Sequence, residues 1–161
     1  MSAPIVGVVG RVPTMTRVQC AIAIDAPPAR VWEVVMDPRR LGDWVTIHRR
    51  VGEVPAQLRR GSTFEQTLNL RGAPLHVVWT VAAVDPPRRA EWEGQGPAHS
   101  RASIVYELRP DGESRTLFDY TNEFRPPGGA LGAVAGRVLM GGLSQREAQR
   151  SLQRLKALIE A

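Results

Sequence analysis

The side chains that could do chemistry in this 161-residue chain are few and scattered. Its three histidines, His48, His76 and His99, stand far apart, with no cysteine or carboxylate at metal-ligand spacing, so no metal centre is expected. Ser144 has no neighbouring base and does not read as an activated nucleophile. Gly7-Val8-Val9-Gly10 and Gly128-Gly129 lack the spacing and the lysine of a phosphate loop. The single cysteine, Cys20, rules out an internal disulfide and falls at an inward strand position, where an inert structural thiol is the expectation. What remains is the pair of hydroxyls of Tyr106 and Tyr120, the amide of Gln66 and the imidazole of His48. Such groups can orient a ligand or move a proton. His48 follows Trp44 near the exit of a short helix, at a rim or structural position, with an interior-facing role as the alternative. No catalytic set meets a geometric test, and no cofactor is implied.

The elements that must position these groups can be read from periodicity. Arg17–Ile24 alternates Val18, Cys20, Ile22 and Ile24 on one face and predicts a strand. Asp25-Ala26-Pro27-Pro28 stops it, and proline suits the first helical turn that follows. Two short helices are expected over 29–36, with Val31, Trp32 and Val35, and over 39–44, after the Asp37-Pro38 start signal. Six more strands are predicted, at 51–54, 63–70, 75–84, 90–93, 101–109 and 115–124. Turn residues separate them at 60–61, 71–74, 85–87, 94–97 and 110–112. Connections this short imply an antiparallel meander. A closing helix is predicted over 130–160, firm in its second half, where Ala148, Leu152, Leu155 and Ile159 form one stripe.

The meander would carry an inward face rich in aromatics: Phe64, Leu68, Trp79, Trp92, Ile104, Tyr106, Phe118 and Tyr120, with Gln66 among them. The last helix is expected to lie across it, with Leu139 and Leu143 in its first half. Glycines at 128, 129, 132, 136, 141 and 142 interrupt that half, and each costs about 1 kcal/mol relative to alanine in a helix. A weak helix over a concave sheet leaves a cavity, the alternative being aromatics that fill the space. Trp44 and His48 would stand at its edge. The predicted occupant is a small hydrophobic molecule such as a lipid, quinone or polyketide-like compound, held by apolar burial.

Strand, two helices, meander, long helix: this order resembles the helix-grip fold of the START and Bet v 1-like superfamily, also called SRPBCC. Ile24-Asp25-Ala26-Pro27-Pro28-Ala29-Arg30-Val31-Trp32 with Asp37-Pro38 and Trp44 resembles the superfamily's opening. Trp79-Thr80-Val81 leading to Asp85-Pro86-Pro87-Arg88-Arg89 resembles its central hairpin. Trp44-Val45-Thr46-Ile47-His48-Arg49 is similar to a bacterial polyketide cyclase/dehydrase-like subgroup, some of whose members are labelled toxins of toxin–antitoxin pairs. The resemblance implies an α+β fold, a seven-stranded curved antiparallel sheet with two short helices after the first strand and a long C-terminal helix over the concave face. For function it implies ligand carriage, with an aromatase/cyclase-type enzyme or a toxin-like effector as alternatives.

Composition agrees with one globular domain over 16–161, preceded by a flexible extension over 1–15: 43% of residues are hydrophobic and 23% charged. No apolar stretch approaches the roughly 20 residues that span a bilayer, and residues 4–12 make a poor secretory signal, which points to the cytoplasm. The net charge is +5, yet Lys156 is the only lysine, so arginine usage reflects coding bias as much as function. The basic pairs fall at element ends, without a recognition helix or stacking platform, which argues against nucleic acid. Arg59, Arg60, Arg88 and Arg89 are expected on one rim, where they would suit an acidic partner. The expected state is a monomer or a weak dimer.

Overall fold

The computed structural model describes residues 15–126 and 144–161. Seven strands form one curved antiparallel sheet: β1 (Thr16–Ile24), β2 (His48–Val51), β3 (Thr63–Leu70), β4 (Ala73–Asp85), β5 (Arg89–Gln95), β6 (Arg101–Pro110) and β7 (Thr116–Arg125). Their order is β1-β7-β6-β5-β4-β3-β2, so each strand from β2 onward pairs with its successor and β1 pairs with β7. Between β1 and β2 lie helix α1 (Pro28–Val35), a 3-10 turn (Pro38–Arg40) and helix α2 (Leu41–Trp44). Pro28 occupies the first turn of α1, and the carboxylate of Asp37 accepts from the Arg39 N–H at 3.1 Å to start the 3-10 turn. This is the predicted α+β helix-grip architecture.

One boundary is corrected. The short strand expected at 51–54 begins earlier, at His48, and ends at Val51. A bulge between His48 and Arg50 shifts the pairing with β3, which no alternation rule registers. The Gly52 N–H still reaches the Glu65 carbonyl at 2.8 Å before the chain leaves the sheet.

The last helix, α3 (Gln145–Glu160), opens on Ser144, whose hydroxyl accepts from the Glu147 N–H at 3.1 Å. It buries Ser151, Leu152, Leu155 and Ile159 against the sheet. The predicted glycine-interrupted first half, with Leu139 and Leu143, lies outside the described residues, as does the extension before Met15. Three polar links tie α3 to the free edge of β1. Gln145 Nε2 donates to the Gln19 carbonyl at 2.6 Å, Lys156 Nζ to the Ala23 carbonyl at 2.9 Å, and Glu160 accepts from the Asp25 N–H at 2.8 Å. Among the described residues no helix is long and apolar enough to cross a membrane.

The core beneath α3 is centred on Tyr106. Its ring lies 5.4 Å from Phe118, 6.0 Å from Tyr120, 6.1 Å from Trp92 and 6.3 Å from Trp44, at tilted or edge-on angles favoured by aromatic quadrupoles. Tyr106 and Tyr120 are the chain's only tyrosines. Burial raises the pKa of both; Tyr106 is further raised by its neighbour Tyr120, and Tyr120 is pushed up to about 12. A phenol whose folded pKa lies above its unfolded value of 10.0 contributes stability that is complete below pH 10 and lost as pH rises past it. Tyrosinate absorbance should therefore stay silent through pH 10 and then appear in one step together with loss of helical circular dichroism. A smooth titration at pH 10 in folded protein would refute the buried placement of these rings.

Candidate functional site

A hollow in the sheet follows from side-chain size along one cross-strand row. Phe64 of β3 pairs with Trp79 of β4, Trp79 with Gly94 of β5, Gly94 with Ala102 of β6, and Ala102 with Phe124 of β7. Two large rings flank two of the smallest residues: Gly94 makes room for the Trp79 indole that lies over it, and beside it the sheet floor drops at Ala102. The cavity formed there is about 100 Å³, enclosed by the sheet, α2 and the first turns of α3. That volume admits a ring-sized group, below the ~300–1,000 Å³ of drug-sized ligand sites, so a longer ligand has to displace wall side chains.

Trp79 is the overhanging part of that wall. Its indole lies over Gly94 so closely that a Cβ on residue 94 would fall 2.7 Å from Cζ3. The Trp79 Nε1–H donates to Gln66 Oε1 at 2.8 Å, which fixes the amide orientation. Gln66 Nε2 therefore faces His48 as a donor, and His48 Nδ1, 2.8 Å away, must be the acceptor. The imidazole is thus neutral with its proton on Nε2, and burial lowers its pKa accordingly. His48 stands behind Gln66 and is not among the residues that line the cavity.

Trp44, Phe64, Gln66, Leu68, Trp79, Trp92, Ile104, Tyr106 and Tyr120 line the cavity. Phe118 does not; it is fully buried one row deeper, beneath Tyr106. Residues that periodicity did not single out complete the wall. They include Asn122 and Phe124 on β7, Thr46 and Ile47 after α2, and Ser144, Glu147 and Ser151 on the helix. The polar ones form a cluster at the helix start. Thr46 N–H donates to Ser151 Oγ at 3.1 Å, and Thr46 Oγ1 donates to Glu147 Oε2 at 2.7 Å. The Ser144-x-x-Glu147 capping pattern was the available signal for that end. Gly96 and Ser100 border the cavity from the β5–β6 connection, where Ala98 and His99 both hold left-handed backbone, φ 56° and 62°. Cys20 sits half-buried on the inner face of β1, its thiol pushed up by burial and then by Asp119, which fits the inert role expected. No group of three metal-binding side chains occurs among the described residues.

Of the four arginines expected on one rim, Arg88 and Arg89 are paired with carboxylates, while Arg59 and Arg60 make no ion pair among the described residues. Arg88 meets Asp85 at 3.4 Å, Arg89 bonds Glu91 and Glu107, and Arg59 reaches the Gln57 amide at 3.2 Å.

Two consequences can be measured. Gly94→Ala should destabilise the fold by about 1–3 kcal/mol and alter tryptophan emission, because the new methyl must push the indole off the sheet. An unchanged emission spectrum would show that the ring does not rest on residue 94. Separately, the depressed folded pKa of His48 gives stability that is whole above its unfolded value of 6.5 and lost as pH falls below it. Denaturant midpoints at pH about 7.5 and about 5.5 should differ, and His48→Gln should shrink that difference. An equal difference in the variant would remove His48 from the acid response.

Comparison with known proteins places this geometry. The family model described as polyketide cyclase/dehydrase and lipid transport matches residues 15–160. Among curated proteins, the toxin Rv0910 of Mycobacterium tuberculosis is 25% identical over 97 residues, covering 60% of this chain and 67% of that protein. The uncharacterised Rv1546 of the same organism is 27% identical over 129 residues, covering 79% of this chain and 90% of that protein. Among solved structures, the ZhuI aromatase/cyclase of Streptomyces sp. R1128 superposes with a TM-score of 0.76 at 18% identity, covering 91% of this chain and 94% of that one. A START superfamily protein from Mycobacterium smegmatis gives 0.64 at 15% identity, with 88% and 98% coverage. Those two likenesses establish the fold, and the family match extends over nearly the whole chain: it belongs to the polyketide cyclase/dehydrase and lipid transport family.

Proposed function

We propose that this protein binds and carries a small hydrophobic molecule in the cavity between the sheet and α3, in the cytoplasm. The observation that carries the reading is the hollow itself: Gly94 and Ala102 opposite each other, overhung by Trp79 and walled by aromatics. Each 100 Å² of ligand apolar surface removed from water is worth about 2.5 kcal/mol. Micromolar affinity, about 8 kcal/mol, therefore takes more than roughly 300 Å² of burial beyond the cost of association, and hence a ligand that displaces wall side chains.

Catalysis of the aromatase/cyclase kind is less well supported. It requires an acid or base in reach of the substrate. Burial raises the pKa of both tyrosines, so neither is a base at neutral pH and both are weakened as acids. His48 Nδ1 is turned to Gln66, and Glu147 already receives Thr46 on one oxygen and Arg150 on the other. The toxin-like reading calls for four free guanidiniums; two of them, Arg88 and Arg89, are paired with carboxylates, which leaves Arg59 and Arg60.

Titration with Nile red, a neutral apolar dye, tests the proposal. Saturable binding at one site with micromolar Kd is expected. Trp79→Ala should weaken it and cost the fold roughly 3–5 kcal/mol. Absence of saturable binding to fully folded protein overturns the carrier reading. In parallel, turnover of an enolisable poly-ketone should match background and be the same for native protein, Tyr106→Phe and Tyr120→Phe. A loss of about a hundredfold in either variant, with dye binding retained, would make this an enzyme.

A further inference from the structure

We infer that the molecule taken by this cavity is uncharged and presents a carbonyl-type oxygen to Tyr106 and Tyr120. This rests on the binding reading above and narrows it. The two tyrosines are register partners on β6 and β7, their rings 6.0 Å apart, and both belong to the cavity wall. Tyr120 Oη accepts from Asn122 Nδ2 at 3.0 Å, which leaves its own proton to be given. The Tyr106 hydroxyl has no hydrogen-bond partner among the described residues. Burial holds both as phenols, so the wall offers two neutral O–H donors side by side. An oxygen that can only accept, as in a ketone, quinone, ester or lactone, complements them.

Charge points the same way. Among the described residues the wall contains no arginine, lysine or histidine, and its one charged side chain is Glu147. The cation that meets Glu147, Arg150 at 3.2 Å, is not on the wall. Among the described residues a carboxylate or phosphate bound here meets no counter-charge to offset the hydration it sheds, and Glu147 adds a fixed carboxylate to the wall. Fatty acids and phospholipid head groups are thereby disfavoured against neutral carbonyl compounds of the same size.

The test uses three ring-sized probes: acetophenone, ethylbenzene and benzoate, followed at neutral pH by the indole N–H signals of Trp44, Trp79 and Trp92. Acetophenone should bind up to about tenfold tighter than ethylbenzene, the scale of a hydrogen bond. Benzoate should bind at least about a hundredfold more weakly than acetophenone. Tyr106→Phe and Tyr120→Phe should each erode the preference for acetophenone and leave ethylbenzene unchanged, while Glu147→Gln should raise benzoate affinity. Benzoate binding as tightly as acetophenone, or a ketone preference that survives both phenylalanine variants, overturns the inference. If all three probes fail while Nile red still saturates the cavity, the inference falls and the carrier reading stands. If Nile red fails too, both fall.

Discussion

The position of α3 across the sheet is set by bonds to backbone groups that no other strand can use. β1 is an edge strand, and its outward carbonyls and amides would otherwise stand unpaired beside the helix. Gln145, Lys156 and Glu160 take three of them, spaced along nearly the full length of the helix. On its other side, Glu147 and Ser151 hold Thr46. Tied along both flanks, the helix cannot slide or roll, so Leu152, Leu155 and Ile159 meet the sheet at fixed places. The same bonds close the edge to intruding strands. The cavity is what remains between a helix so placed and a floor lowered at Ala102, beside Gly94.

The wall has an uneven economy of polar groups. Trp79, Gln66 and His48 form a chain in which the donor and the acceptor of each bond are assigned, and the assignment runs from the cavity outward to a titratable ring. Trp44 and Trp92, by contrast, bury indole N–H groups with no partner among the described residues. Buried polar atoms left in this way cost free energy, and native folds hold few of them. Satisfied and unsatisfied indoles thus share one cavity, with Trp79 held by hydrogen bonds and the other two by packing alone.

The strands were legible because an antiparallel sheet with one covered face must alternate. Phe64, Gln66, Leu68 and Leu70 on β3, and Leu75, Val77, Trp79 and Val81 on β4, lie inward as their spacing predicts. Alternation cannot say which row an inward residue joins. Phe118 and Tyr120 read alike, yet one is sealed under Tyr106 and the other borders the cavity, a difference fixed by register between β6 and β7. Gly94 and Ala102 were illegible for the opposite reason: their contribution is a missing side chain. The bulge at β2 concealed where His48 points. The polar cluster at the helix start comes from irregular backbone at Thr46, about which periodicity is silent.

Lys156 has a consequence beyond its two hydrogen bonds. It is the chain's only lysine, and its ammonium sits in the seam between α3 and β1, shared by the Ala23 carbonyl and Glu160. Side-chain amine chemistry on this protein, whether acetylation, methylation or a cross-linking reagent, therefore has a single address. Neutralising that amine removes a donor from the helix–sheet joint, so a modification aimed at the surface would be felt in the fastening of the helix that roofs the cavity.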